Sequence, residues 1–166
     1  TTTWSGNVWL NSSYHVSSSD ALIIDDCTQI WMASGVRIYV DGRLTVEGTQ
    51  SCPAKIHSQG FGDHQGIQFN STSKNRGSII DNLSIEDSEY AITIYNSNPG
   101  LYNVSIVDAD RVAIDLFNSA SPIIRDLNVQ DGGQGFANGV EWRQGIGLSV
   151  GNYSTPIVER FTADGL

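Results

Sequence analysis

Gly77-Ser78-Ile79-Ile80-Asp81-Asn82-Leu83-Ser84-Ile85-Glu86-Asp87 returns three more times along the chain. The copies are Pro99-Gly100-Leu101-Tyr102-Asn103-Val104-Ser105-Ile106-Val107-Asp108, Ser121-Pro122-Ile123-Ile124-Arg125-Asp126-Leu127-Asn128-Val129-Gln130-Asp131 and Pro156-Ile157-Val158-Glu159-Arg160-Phe161-Thr162-Ala163-Asp164. The first three are each followed by a second apolar-alternating run: Ala91-Ile92-Thr93-Ile94, Ala113-Ile114-Asp115-Leu116 and Gly147-Leu148-Ser149-Val150. Alternation such as Leu83-x-Ile85 is the period of a strand with one buried face, and no helical stripe competes with it.

A single repeat cannot bury its own apolar face, so the repeats must stack. Coils about 4.8 Å apart would align Leu83, Val104, Leu127 and Phe161 in one interior column and Ile85, Ile106 and Val129 in the next. The spacing predicts an all-β, single-stranded, right-handed parallel β-helix of about 6–7 coils of about 22 residues, forming one domain over 1–166. Leu83, Val104 and Leu127 are 21 and 23 residues apart, but Leu127 to Phe161 takes 34. The excess places an insertion loop at about 131–145. Asn96, Asn118 and Asn152 recur two residues after a strand and are expected to form a hydrogen-bonded ladder, with Asn82, Asn103 and Asp126 as a second polar column.

The first half carries the same signature less regularly, in Leu22-Ile23-Ile24, Val36-Arg37-Ile38-Tyr39-Val40, Leu44-Thr45-Val46 and Ile67-Gln68-Phe69. The run from Trp4-Ser5-Gly6 through Tyr14-x-Val16 and Val40-Asp41-Gly42-Arg43-Leu44-Thr45-Val46-Glu47-Gly48-Thr49 to Gly66-Ile67-Gln68-Phe69 resembles the opening coils of right-handed parallel β-helix repeat proteins of bacterial and archaeal surfaces or secretions. The Gly42-x-Leu44-x-x-x-Gly48-Thr49 segment is its most specific part. The resemblance implies a fold and no particular activity. Asp25-Asp26-Cys27-Thr28 departs from the Pro-Gly-Thr turn common there, and His64-Gln65 stands in place of a common Trp.

Composition narrows the partners. Eighteen acidic residues against nine basic ones give a net charge of −9, which opposes phosphate backbones and anionic membranes and leaves cations and glycans. No nucleic-acid binding or membrane insertion is expected, and no apolar run reaches the roughly 20 residues that span a bilayer. Thr1-Thr2-Thr3-Trp4 lacks signal-peptide character, which suits a mature or trimmed secreted or cell-surface chain.

Cys27 and Cys52 each follow equivalent strands one coil apart, within reach of a disulfide, although two free thiols remain an alternative. Asp87, Asp108 and Asp131 fall at one position of three successive coils, with Glu89 and Asp110 beside them. Such a column supplies oxygens of the kind calcium takes; equally, Asp is a turn residue and each of these ends a strand. The acidic group also suggests an enzyme, since polysaccharide lyases of the pectate-lyase type resemble this fold and join Asp-bound calcium to a basic arginine, here Arg111 or Arg125. Glycoside hydrolases need a spaced carboxylate pair, and the Asn-Thr-Asp, Gly-His-Gly and Arg-Ile-Lys motifs of polygalacturonases do not occur. In the insertion, Phe136, Asn138, Glu141, Trp142 and Arg143 are the types that stack on sugars and bind hydroxyls; the aromatics could instead cover the solenoid. His64 reads as a solvated loop residue.

The resulting expectation is a non-enzymatic extracellular module for surface display, adhesion or glycan binding. The alternatives are a small calcium-dependent polysaccharide lyase or glycoside hydrolase, and a structural piece of a longer array. Uncapped coil ends would favour homo-oligomers.

Overall fold

The computed structural model describes residues 1–132, 134–137, 140–143 and 145–165, with side chains left out for 134–137 and 140–143. Parallel strands wind through three faces per coil. The first coil is β1 (Thr2–Trp4), β2 (Asn7–Leu10) and β3 (Tyr14–Val16); the second is β4 (Ala21–Asp25), β5 (Gln29–Met32) and β6 (Ile38–Val40); the third is β7 (Arg43–Glu47), β8 (Ala54–Ser58) and β9 (Ile67–Phe69). The fourth and fifth coils are continuous strands, β10 (Ile79–Tyr95) and β11 (Gly100–Phe117). The sixth holds β12 (Ile123–Gln130), β13 (Gln134–Ala137), β14 (Val140–Arg143) and β15 (Ile146–Val150), and β16 (Ile157–Asp164) begins a seventh. The first face stacks in the order β1-β4-β7-β10-β11-β12-β16. The winding is right-handed, the sense that parallel crossovers take.

Register bears out the expected columns. Leu83 pairs with Val104, Val104 with Leu127 and Leu127 with Phe161; Ile85, Ile106, Val129 and Ala163 follow two residues on. The second column continues back through Ile56, Ile30 and Val8. From Ile30 to Val129 these side chains are fully buried. Burying each such aliphatic side chain contributes about 1.5–3 kcal/mol, so a continuous column offsets the ordering entropy of a chain with no second layer to cover it. On the last coil Ile157, Val158 and Phe161 stay exposed.

The corners explain the polar columns. Asn82, Asn103, Asp126 and Arg160 have φ of 52, 52, 57 and 56°, and Asn96, Asn118 and Asn152 have 44, 56 and 50°. A left-handed bend turns the chain to the next face, and Asn and Asp tolerate it best among residues with a Cβ. The expected side-chain ladder takes a different form. Among the described residues Asn96, Asn118 and Asn152 do not bond one another; Lys74 Nζ donates to Asn96 Oδ1 at 3.0 Å. In the second column, Asn82 and Asn103 both donate from Nδ2 to Asp81 Oδ1 at 2.9 Å, tying two coils together.

The motif glycines have a steric cause. A Cβ on Gly42 would lie 2.2 Å from the Asp20 carbonyl oxygen, and one on Gly48 would lie 2.1 Å from that of Asn82. Neighbouring coils touch backbone to backbone at these corners. Cys27 and Cys52 form a disulfide, with Cα atoms 4.9 Å apart. The insertion in the sixth coil is the antiparallel hairpin β13–β14, with Gln134 opposite Arg143.

Candidate functional site

Two groups of side chains stand out, one at the corner between the second and third faces and one on the outer side of the second face.

At the corner, Asp87, Asp108 and Asp131 occupy the same left-handed bend on three coils, with φ of 57, 56 and 49°. All three are exposed. Asp108 is held above the ordinary carboxylate range by partial burial and then by repulsion from Asp87, Asp131 and Asp63. Between Ser88 and Tyr90 the register against β11 shifts, because Asp110 and Arg111 together face Glu89. Such a bulge re-aims side chains. Arg111 Nε sits 2.6 Å from Glu89 Oε1, and Gln65 Nε2 donates to the other Glu89 oxygen. Asp110 instead hydrogen-bonds Asp63, from the loop between β8 and β9. Burial, that bond and the charges of Asp63, Asp108 and Glu89 push Asp110 up to about 7.

Asp63 is the member that sequence reasoning missed, because the loop of residues 59–66 has no counterpart in the regular repeats. Its neighbour His64 is a correction to the solvated reading. It is fully buried, its Nε2 donates to the Glu86 carbonyl at 3.0 Å and its Nδ1 accepts from the Gly66 N–H at 3.0 Å. Desolvation holds this imidazole neutral, down to about 4. Among the described residues no three His, Cys, Asp or Glu side chains are grouped so that they could hold a metal ion. Arg125, the other arginine singled out, pairs with Glu159 at 3.0 Å. The hairpin adjoins this corner, with β13 against β11. The side chains of Phe136, Glu141, Trp142 and Arg143, and Asn138 altogether, lie outside the described residues.

On the outer side of the second face, strand pairing places Trp9 beside Trp31 and Trp31 beside His57. Trp31 and His57 stack with ring centroids 4.5 Å apart. His57 is held by Gln29 Oε1 at 2.8 Å and Glu86 Oε2 at 3.3 Å. Trp9, at the end of this column, keeps 56% of its surface exposed. Two residues away along each strand runs a polar rank: Asn7, Gln29, Lys55, Ser84, Ser105, Asn128 and Thr162. The sequence shows the later members of this rank as outward positions. The aromatic column falls in the irregular first coils, where Trp9, Trp31 and His57 are separated by 22 and 26 residues.

Coils, left-handed corners and a parallel register from coil to coil are joined by one match. The family described as the right-handed β-helix region covers residues 8–164. The chain belongs to the right-handed β-helix family. No curated protein and no solved structure matches it. Within this β-helix, no helix among the described residues is long and apolar enough to cross a membrane. The β-helix thus provides two outward surfaces of different chemistry: an acidic corner holding a carboxyl pair, and a flat sheet face bearing aromatic, amide and hydroxyl groups.

Proposed function

We propose that residues 1–166 form one non-enzymatic extracellular module, used for surface display or adhesion, that binds glycan on the outer side of the second face. The observation that carries this reading is the exposed Trp9 at the head of the Trp31–His57 stack, beside the Asn7–Gln29–Lys55–Ser84 rank. An indole offers an apolar surface to the C–H face of a sugar, while amides and hydroxyls meet its hydroxyl groups. A sheet face presents these groups without ordering a loop, so little conformational entropy opposes binding. The disulfide suits an oxidising compartment outside the cytosol.

The test is affinity electrophoresis of the β-helix through neutral polysaccharides, followed by titration with the oligosaccharide that retards it most. Trp9→Ala should weaken binding by about tenfold or more, in line with about 1–3 kcal/mol for a buried aromatic contact. Retardation by no polysaccharide, or equal affinity for Trp9→Ala, would reject the reading.

The Asp63–Asp110 pair favours a second reading, a small polysaccharide-active enzyme. A carboxyl that keeps its proton near neutral pH is what a general acid needs at a glycosidic oxygen. New reducing or unsaturated ends released by the protein and abolished in Asp110→Asn would put this reading first.

A further inference from the structure

At the corner where the third face returns to the first, three successive coils contribute side chains to one open recess. The second coil supplies Ser19 and Asp20, the third Arg43 and the fourth Asn75 and Arg76, with Thr1 at the rim. The recess measures about 380 Å3, within the roughly 300–1,000 Å3 range of small-ligand sites. Its walls are rigid. Gly42 touches the Asp20 carbonyl as described, and Arg43 N–H donates to that same oxygen at 3.1 Å. Asn75, at φ 61°, is locked by Asn98: its N–H donates to Asn98 Oδ1 at 2.7 Å and its Oδ1 accepts from Asn98 Nδ2 at 2.8 Å.

The recess carries two arginines against one aspartate, the reverse of the balance of the whole chain. The chain has nine basic residues against eighteen acidic ones, and Arg111, Arg125 and Arg160 are each spent on a carboxylate. Among the described residues neither Arg43 nor Arg76 takes part in an ion pair, although both line the same cavity. Arg76 Nε donates to the Thr72 carbonyl at 2.7 Å, which anchors the guanidinium at one edge and leaves its terminal nitrogens to a ligand. Asp20 is engaged by Ser17 Oγ at 2.6 Å and does not neutralise either arginine.

We infer that this recess binds a carboxylate-bearing sugar residue, with Arg43 and Arg76 on the carboxylate and Asp20, Asn75 and Ser19 on hydroxyl groups. Two forked guanidinium donors match a planar carboxylate. Asp20, which lines the same recess, opposes a doubly charged phosphate more strongly than a singly charged carboxylate, and it accepts from a sugar hydroxyl. The net charge of −9 does not forbid a uronate, since charges beyond about 8 Å are screened at physiological ionic strength and the recess carries its own cations. The site goes beyond the glycan surface proposed above and stands apart from it.

The test titrates galacturonate, galactose and inorganic phosphate separately into 15N-labelled protein. Galacturonate should shift the amides of Asp20, Arg43, Asn75 and Arg76, galactose and phosphate should bind at least tenfold more weakly, and galacturonate affinity should fall with added salt. Arg43→Gln and Arg76→Gln should each lower galacturonate affinity tenfold or more with melting unchanged, while Trp9→Ala leaves it intact. Equal response to galactose or to phosphate, or unchanged affinity in the Arg43→Gln/Arg76→Gln double variant, overturns the inference. Neutral glycan binding lost in Trp9→Ala, with no galacturonate shift at the recess, would sink this site and leave the proposed function standing.

Discussion

The carboxyl of Asp110 hydrogen-bonds that of Asp63, although the coil carrying Glu89 lies between the two coils they come from. Two carboxyl groups can be so joined only while one keeps its proton. Asp110 is raised from 3.8 to about 7, so the folded state holds a proton that the unfolded chain gives up near pH 4. The stabilisation is complete below pH 4 and is lost as pH rises through 7. Thermal melts should therefore fall between pH 5 and pH 8, and Asp110→Asn should flatten that fall and melt a few °C higher than the parent at pH 8. An unchanged pH profile in Asp110→Asn would show that the pair does not share a proton.

Asp108 separates the conformational role of the acidic column from its electrostatic one. Its bend has φ 56°, and its carboxyl is raised by burial and by Asp87, Asp131 and Asp63. Asp108→Asn keeps the residue type suited to the bend and removes the repulsion, so urea denaturation at pH 7 should give stability equal to or above the parent. Asp108→Val should cost about 1–2 kcal/mol, because a β-branched residue resists the left-handed region. Similar losses in both variants would mean that the charge itself is needed, as a bound cation would require.

The disulfide closes a separation of 25 residues between two coils. Reduction should lower stability by about 3 kcal/mol, chiefly by freeing the unfolded chain. A Cys27→Ser/Cys52→Ser variant should match the reduced protein and show no response to reductant; calorimetry with and without a phosphine reductant makes the comparison.

Gly42 and Gly48 should not accept a methyl group. Gly42→Ala and Gly48→Ala each place a Cβ about 2 Å from a carbonyl oxygen of the neighbouring coil. Forcing two coils apart should cost about 1–3 kcal/mol in each variant. Denaturation midpoints equal to that of the parent would refute the backbone contact.

The regular coils were legible because their information is local. Leu83, Val104 and Leu127 lie on strands whose alternation and period repeat within a span of about 22 residues, and the same arithmetic located the excess that forms β13–β14. The pairing of Cys27 with Cys52 followed from equivalent positions on adjacent coils. The site was less legible. His64 looks solvated beside Asp63 and Gln65, yet its loop folds inward and gives both ring nitrogens backbone partners. Asp63 meets Asp110 beside a one-residue register shift in β10–β11, and such a shift leaves no mark in composition.

Sequence alone determined that the chain coils, which side chains face inward and where one coil lengthens, because strand alternation and repeat length are properties of consecutive residues. Tertiary structure decided what the outside presents: Trp9, Trp31 and His57 in one column, Asp63 against Asp110, and Arg43 with Arg76 around one recess. Trp9 and Trp31 lie one coil period apart, but His57, Asp63 and Arg76 follow longer connections, so their separations from their partners depart from that period. Only the stacking of one coil on the next brings them together.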